Sequence, residues 1–243
     1  STGEAKLSRV LTRLSTKHRK RLRAAIAQYG TIRAIPREFW DQMQAEINEE
    51  SATALLLIMI AAHQSTQNRL RFRVSGGNVE GIAAGVTKPQ AAQLARQMLD
   101  NTRDRLLQLE AKLRLDPQID EKKFRDELAK SVAVVISDER AGGAAVTETT
   151  RAISSGQRLG GDDYAARYPE VVLTERWLTE RDERVCPICA PLHGKKSDVW
   201  AAQFPSGPPA HPNCRCELLM TAEGGKRRKG RLEELGRGQG ESQ

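Results

Sequence analysis

The residues best equipped for chemistry lie between Arg184 and Met220. All four cysteines of the 243-residue chain fall there, as a C-x2-C pair, Cys186 and Cys189, and a C-x-C pair, Cys214 and Cys216. His211 precedes Cys214 by three positions, and His193 follows Cys189 by four. Cysteines that serve only packing scatter through a core. Two close pairs separated by a loop, with histidine beside the second, have the spacing by which short turns gather four nitrogen and sulfur donors around a tetrahedral zinc ion. Pro187 and Pro212 suit the tight turns that such knuckles need. Cys186, Cys189, His211, Cys214 and Cys216 make five donors for four places, and His193 is a sixth candidate. Cys186 and Cys189 are the firm pair. On an extended segment Cys214 and Cys216 share one side, with Arg215 opposite. Alternatively His211 and Cys214 close a turn together and leave Cys216 spare, and spacing alone leaves both arrangements open.

Two disulfides would require an oxidising compartment, and no signal peptide or other targeting segment is visible in a chain that starts at Ser1. A catalytic cysteine does not account for four clustered thiols. A catalytic zinc site keeps three protein ligands and a water, whereas five donors favour closure. The expected cofactor is therefore one structural Zn2+. No internal repeat, P-loop, dinucleotide glycine motif, H-E-x-x-H or G-x-S-x-G occurs, so there is no enzyme signature.

The elements that must position these donors are mostly helices. Leu7, Val10, Leu11, Leu14, Leu22, Ala25 and Ile26 recur at helical steps and predict an amphipathic helix over 6–29, stopped by Gly30. Pro36 opens a second helix that runs to about Phe72; its middle, Leu55 to Ile60, is apolar all round and must be enclosed. Ser75-Gly76-Gly77-Asn78 predicts a break and the segment to Val86 a loop or short turn, with a third helix beginning at Pro89 and ending at Asp116-Pro117. A fourth spans about 120–140, interrupted at Gly142-Gly143. A short one then carries Thr147 to Ile153, where the threonines cap and Glu148 and Arg151 pair locally, and it fades at Ser154-Ser155-Gly156. Val171 to Leu173, Arg176 to Thr179 and Glu217 to Met220 are strand material.

These patterns predict an α+β chain: a mostly helical region over 1–125, a small zinc-stapled module with a few short antiparallel strands over 126–222, and a disordered basic tail over 223–243. From Gly161 to Met220 there are few large apolar residues. A bound zinc contributes about 10–16 kcal/mol in small finger peptides, which is comparable to the stability of a whole domain, so the metal is expected to hold this module together.

The chain carries 39 basic and 31 acidic residues, a net charge of +8. The surplus concentrates at the ends: nine bases against Glu4 alone up to Arg33, and Lys226-Arg227-Arg228-Lys229 near the C-terminus. Both clusters could contact an anionic partner such as double-stranded DNA, or form a solvated helix face and a solvated tail. The longest apolar run, Ala52 to Ala62, is well short of the roughly 20 residues that a bilayer requires.

Several of these residues fall into an ordered set of motifs: Thr147-Glu148-Thr149-Thr150-Arg151-Ala152, Trp177-Leu178-Thr179, Asp182 to Cys189, Leu192-His193-Gly194, and Pro208 to Cys216. In order and spacing they resemble the phage Mu F-like minor head proteins, the head morphogenesis family of tailed bacteriophages, over roughly Val132 to Met220. The resemblance implies a virion component of few copies, associated with the portal vertex and acting in head assembly, DNA packaging or DNA ejection. Its implied partners are the portal protein and the major capsid protein, and its implied place is the phage head interior or portal vertex after assembly in the host cytoplasm. The family's motif puts the metal-binding role on Cys186, Cys189, His211, Cys214 and Cys216, with scaffold roles for Glu148, Arg151, Trp177 and Asp182. Some relatives carry a further toxin or transferase domain after this module, for which this chain has no room. Two other readings compete: a zinc-dependent nucleic-acid enzyme or toxin, and a plain zinc DNA-binding protein.

Overall fold

A computed structural model describes residues 2–72, 78–180 and 182–223. Five long helices lead: α1 Thr2–Tyr29, α2 Arg37–Leu70, α3 Val79–Arg114, α4 Glu121–Val135 and α5 Asp138–Arg167. Strand β1 Val172–Leu178 follows, then a 3-10 turn Ala190–Leu192, the short α6 Ser197–Trp200, and β2 Glu217–Glu223. The strands pair antiparallel with Trp177 opposite Leu218, giving the expected α+β class with a small sheet. The tail expected to be disordered lies, from residue 224 on, outside the described residues, as do Ser75 to Gly77 of the expected break.

Gly30, at φ 79°, ends α1, and Pro36 precedes the first turn of α2, as their residue types require. Leu7, Leu11 and Leu14 of α1 pack with Met43, Ile47 and Leu55 of α2, Leu94 of α3 and Ala145 and Ala152 of α5. A second apolar cluster joins Leu22 and Ile26 to Phe124, Leu128 and Val132 of α4. Leu55, Ile58 and Met59 in the all-apolar middle of α2 are thus enclosed, as expected, whereas Leu57 is 45% exposed.

Three boundaries differ from the sequence expectation. Residues 79–86 are helical, because the Asn78 side chain accepts a hydrogen bond from the Gly81 N–H at 2.9 Å and starts α3 ten residues before Pro89, which lies inside the helix. The break expected at Gly142-Gly143 sits earlier, at Ile136-Ser137. There Ser137 caps α5 through the Arg140 N–H at 3.3 Å, and Asp138 and Glu139 complement the helix dipole. The expected fade at Ser154 to Gly156 is instead the middle of α5. A Cβ at Gly156 would lie 2.3 Å from the Met59 carbonyl oxygen, and one at Gly160 3.0 Å from that of His63, so these glycines let α5 approach α2 closely. Val171 to Thr179, read as two segments, is essentially the single strand β1.

Candidate metal centre

Two turns of equal length present the donors. In the first, the Cys189 N–H donates to the Cys186 carbonyl at 3.1 Å and lies 3.3 Å from the Cys186 sulfur. In the second, the Cys214 N–H donates to the His211 carbonyl at 3.2 Å, and Asn213 takes the left-handed conformation that closes the turn, at φ 61°. Asp182, just ahead of the first turn, holds Arg215, just past the second, through two hydrogen bonds of 2.7 and 2.8 Å. This fork-to-fork pair ties the two turns together across 33 positions of sequence. It also holds the Asp182 carboxyl down at about 2.

Helix α5 is the platform under the second turn. The Asn213 N–H donates to the Thr147 hydroxyl at 2.9 Å, the Thr150 hydroxyl donates to the Cys214 carbonyl at 2.6 Å, and the Leu218 N–H donates to the Gln157 side chain at 2.9 Å. Gly143 leaves room for this: a Cβ there would meet the Asn213 side-chain oxygen at 2.6 Å. The threonines read from sequence as helix caps lie mid-helix and carry the cysteine loop. The local Glu148–Arg151 pair is present at 3.3 Å. Gln157 was missed; a buried glutamine facing a strand's first N–H groups has no signature in one sequence.

Trp177, Trp200 and Leu218 enclose the donors together with Cys189, Cys214 and Cys216, all buried. The rings of Trp177 and Trp200 meet edge to face at 5.4 Å. Three of the six fully enclosed residues of this small core are cysteines, so the thiols are part of its interior. All four are free thiols.

Cys186, Cys189 and His211 present donor atoms within 4.8 Å of one another, and so do Cys189, Cys214 and Cys216. The two triads share Cys189. The His211 Nε2 lies 2.9 Å from the Cys186 sulfur and 3.3 Å from that of Cys189, and the Cys189 and Cys214 sulfurs are 3.9 Å apart. His211 Nδ1 lies 2.7 Å from the Pro212 carbonyl, which can only accept, so Nδ1 carries the proton and Nε2 offers its lone pair to the thiols. Cys186, Cys189, His211 and Cys216 line a cavity of about 20 Å³.

The electrostatics match a cation seat. A hydrogen bond from the Cys216 thiol, with help from the Cys216 and Ala210 N–H groups, holds Cys214 down at about 5. Cys216 is pushed up, chiefly as that hydrogen-bond donor, and burial with the charge of Cys214 pushes Cys189 up to about 12. Burial works against protonating His211, but the Pro212 carbonyl and the Cys214 and Cys186 thiols outweigh it and raise its value. The packed sulfurs therefore create a negative potential that a metal ion would relieve. His193, the sixth candidate, is elsewhere: its Nδ1 accepts from the Thr179 N–H at 3.2 Å and lies 2.9 Å from the Thr179 hydroxyl, at the end of β1.

A family model described as phage Mu protein F-like matches residues 74–219. The chain belongs to the phage Mu protein F-like family. Comparison with curated proteins and with solved structures returns no match. In this phage Mu F-like chain every candidate donor lies inside the matched span, together with Thr147, Thr150 and Gln157 that support them. The span also begins far upstream of Val132, where the recognisable motifs start, and takes in α3 and α4.

Proposed function

We propose that the chain is a non-enzymatic head morphogenesis protein of a tailed bacteriophage. It is a virion component at the portal vertex, docked on the portal or major capsid protein, and acts in head assembly, DNA packaging or DNA ejection. Membership of the phage Mu F-like family over residues 74–219 carries this reading. In it, Cys186, Cys189, His211 and Cys214 hold one structural zinc ion. Sulfurs around tetrahedral zinc sit about 3.8 Å apart, given Zn–S bonds of about 2.3 Å, and the Cys189–Cys214 separation is 3.9 Å. Cys216 stays a neutral thiol, donating to the Cys214 sulfur and packed against Trp177.

The zinc supplies no chemistry here beyond joining the two turns. Asp182 and His193, the residues that a metal-dependent hydrolysis would draw on, are engaged by Arg215 and Thr179. On α1, Arg13 and Arg21 pair with Glu50 and Glu46, and Arg19 with Asp138. In this reading contact with packaged DNA draws on the α1 bases that have no carboxylate partner among the described residues, Lys6, Arg9, Lys20 and Arg23, and on Lys226 to Lys229. Mass spectrometry of purified heads and proheads of the encoding phage tests the placement. A few copies per particle are expected, and heads free of the chain at every stage of assembly would overturn it.

A further inference from the structure

The sheet brings the two donor turns to one place without setting their separation. Its ladder ends at Leu178 opposite Glu217, with Cys216 the next residue on one side. The first donor turn stands on a loop of its own. That loop leaves β1 after Leu178 and returns where the Gly194 N–H donates to the Trp177 carbonyl at 2.7 Å and the Trp177 N–H to the Lys195 carbonyl at 2.9 Å. Cys186 and Cys189 lie about midway round it, so the sheet holds the feet of the loop and not its tip.

One carboxylate spans the gap. Besides both hydrogen bonds from Arg215, Asp182 accepts the Arg184 N–H at 3.2 Å through Oδ1 and the Val185 N–H at 3.3 Å through its carbonyl. It thereby shapes the approach to Cys186 and grips the residue between Cys214 and Cys216. The two side chains are only 30% and 23% exposed, so water competes with this pair less than with an open surface pair. Arg215 also lines the small cavity between the donors. An ion joining the turns unaided would have to order the whole loop, and that entropy would weaken its binding. With the pair formed, the donors already stand within reach of one another.

We propose that Asp182 and Arg215 are positioning residues for the metal: their pair sets the spacing of the two donor turns, and metal affinity depends on it. Neither supplies a donor atom. The inference rests on the zinc assignment above and extends it from the donors to the residues that space them.

The test is the zinc affinity of the full chain, measured by competition with a chromophoric chelator. Asp182→Asn keeps the shape and removes the charge, and it raises the zinc dissociation constant about tenfold or more, as losing a group that orients ligands from outside the coordination sphere does. Arg215→Gln weakens binding as well. That direction is diagnostic, because charge alone would make the loss of a nearby guanidinium strengthen the hold on a cation. The double variant binds no more weakly than the weaker single one, since both act through one pair. Melting of the helical body stays unchanged throughout. Wild-type affinity in Asp182→Asn, tighter binding by Arg215→Gln, or losses that add in the double variant overturn the proposal and, with zinc bound by the wild type, leave the metal assignment standing. A wild-type chain that binds no zinc removes both.

Discussion

Cys189 belongs to both donor triads and is buried against Trp177, which makes it the least replaceable of the thiols. Cys189→Ser is expected to abolish metal retention, and Cys216→Ser to retain it, as measured by elemental analysis of the purified variants. Retention in the first would contradict the role of Cys189 as a ligand, and loss in the second the assignment of Cys216 as a neutral neighbour. Thr150 acts one layer out. Thr150→Val keeps the shape and leaves the Cys214 carbonyl without its 2.6 Å hydrogen bond, so it should cost about 1–3 kcal/mol by denaturant unfolding of the metal-loaded protein. At this scale the clustering of Cys186, Cys189, His211, Cys214 and Cys216 was legible, because cysteine spacing encodes turn geometry. The choice among five was not, because it depends on which donors the fold brings into reach. Only the structure shows His211 Nε2 turned toward Cys186 and Cys189 by the Pro212 carbonyl.

The helices were legible by period and misread at their ends. Glycine and proline are read as breakers, yet Gly142, Gly143, Gly156 and Gly160 lie inside α5 and Pro89 inside α3. What the sequence pattern does not carry is which glycines face a neighbouring backbone. That distinction gives opposite predictions for one substitution. Nothing lies within 4 Å of a Cβ at Gly142, so Gly142→Ala should stabilise by about 0.5–1 kcal/mol through helix propensity. At Gly156 the Cβ would meet the Met59 carbonyl at 2.3 Å, so Gly156→Ala should destabilise by about 1–3 kcal/mol as α5 is pushed off α2. Equal effects at the two positions, read by thermal unfolding, would contradict the close α2–α5 approach. The start of α5 was in fact written in the sequence as Ser137 followed by Asp138 and Glu139, a stronger signal than the glycines that obscured it.

At the level of the whole molecule, a helical body with its own apolar clusters supports a small module in whose core three of the six buried residues are cysteines. The two parts respond to different conditions. In the body, His18 is buried with its Nε2 3.0 Å from Glu46, and burial holds its value below the ordinary 6.5 despite that carboxylate. The folded protein therefore binds this proton more weakly than the unfolded chain. Stability is unaffected above 6.5 and falls as pH drops through it toward the lower folded value. Burial raises Glu46, but His18, Lys17 and Arg21 outweigh it and hold it below 4.5, so it adds a loss of the same sign at more acidic pH. His18→Gln should flatten the first part of this decline in urea unfolding followed from neutral pH downward. In the proposed reading the module answers to metal instead, and its metal content is the most direct test. Protein purified without chelator should contain about one zinc per chain, and chelation should remove the cooperative unfolding of the C-terminal module while the helical body still melts. Protein without bound metal whose C-terminal module unfolds cooperatively, unchanged by chelator, would contradict the account.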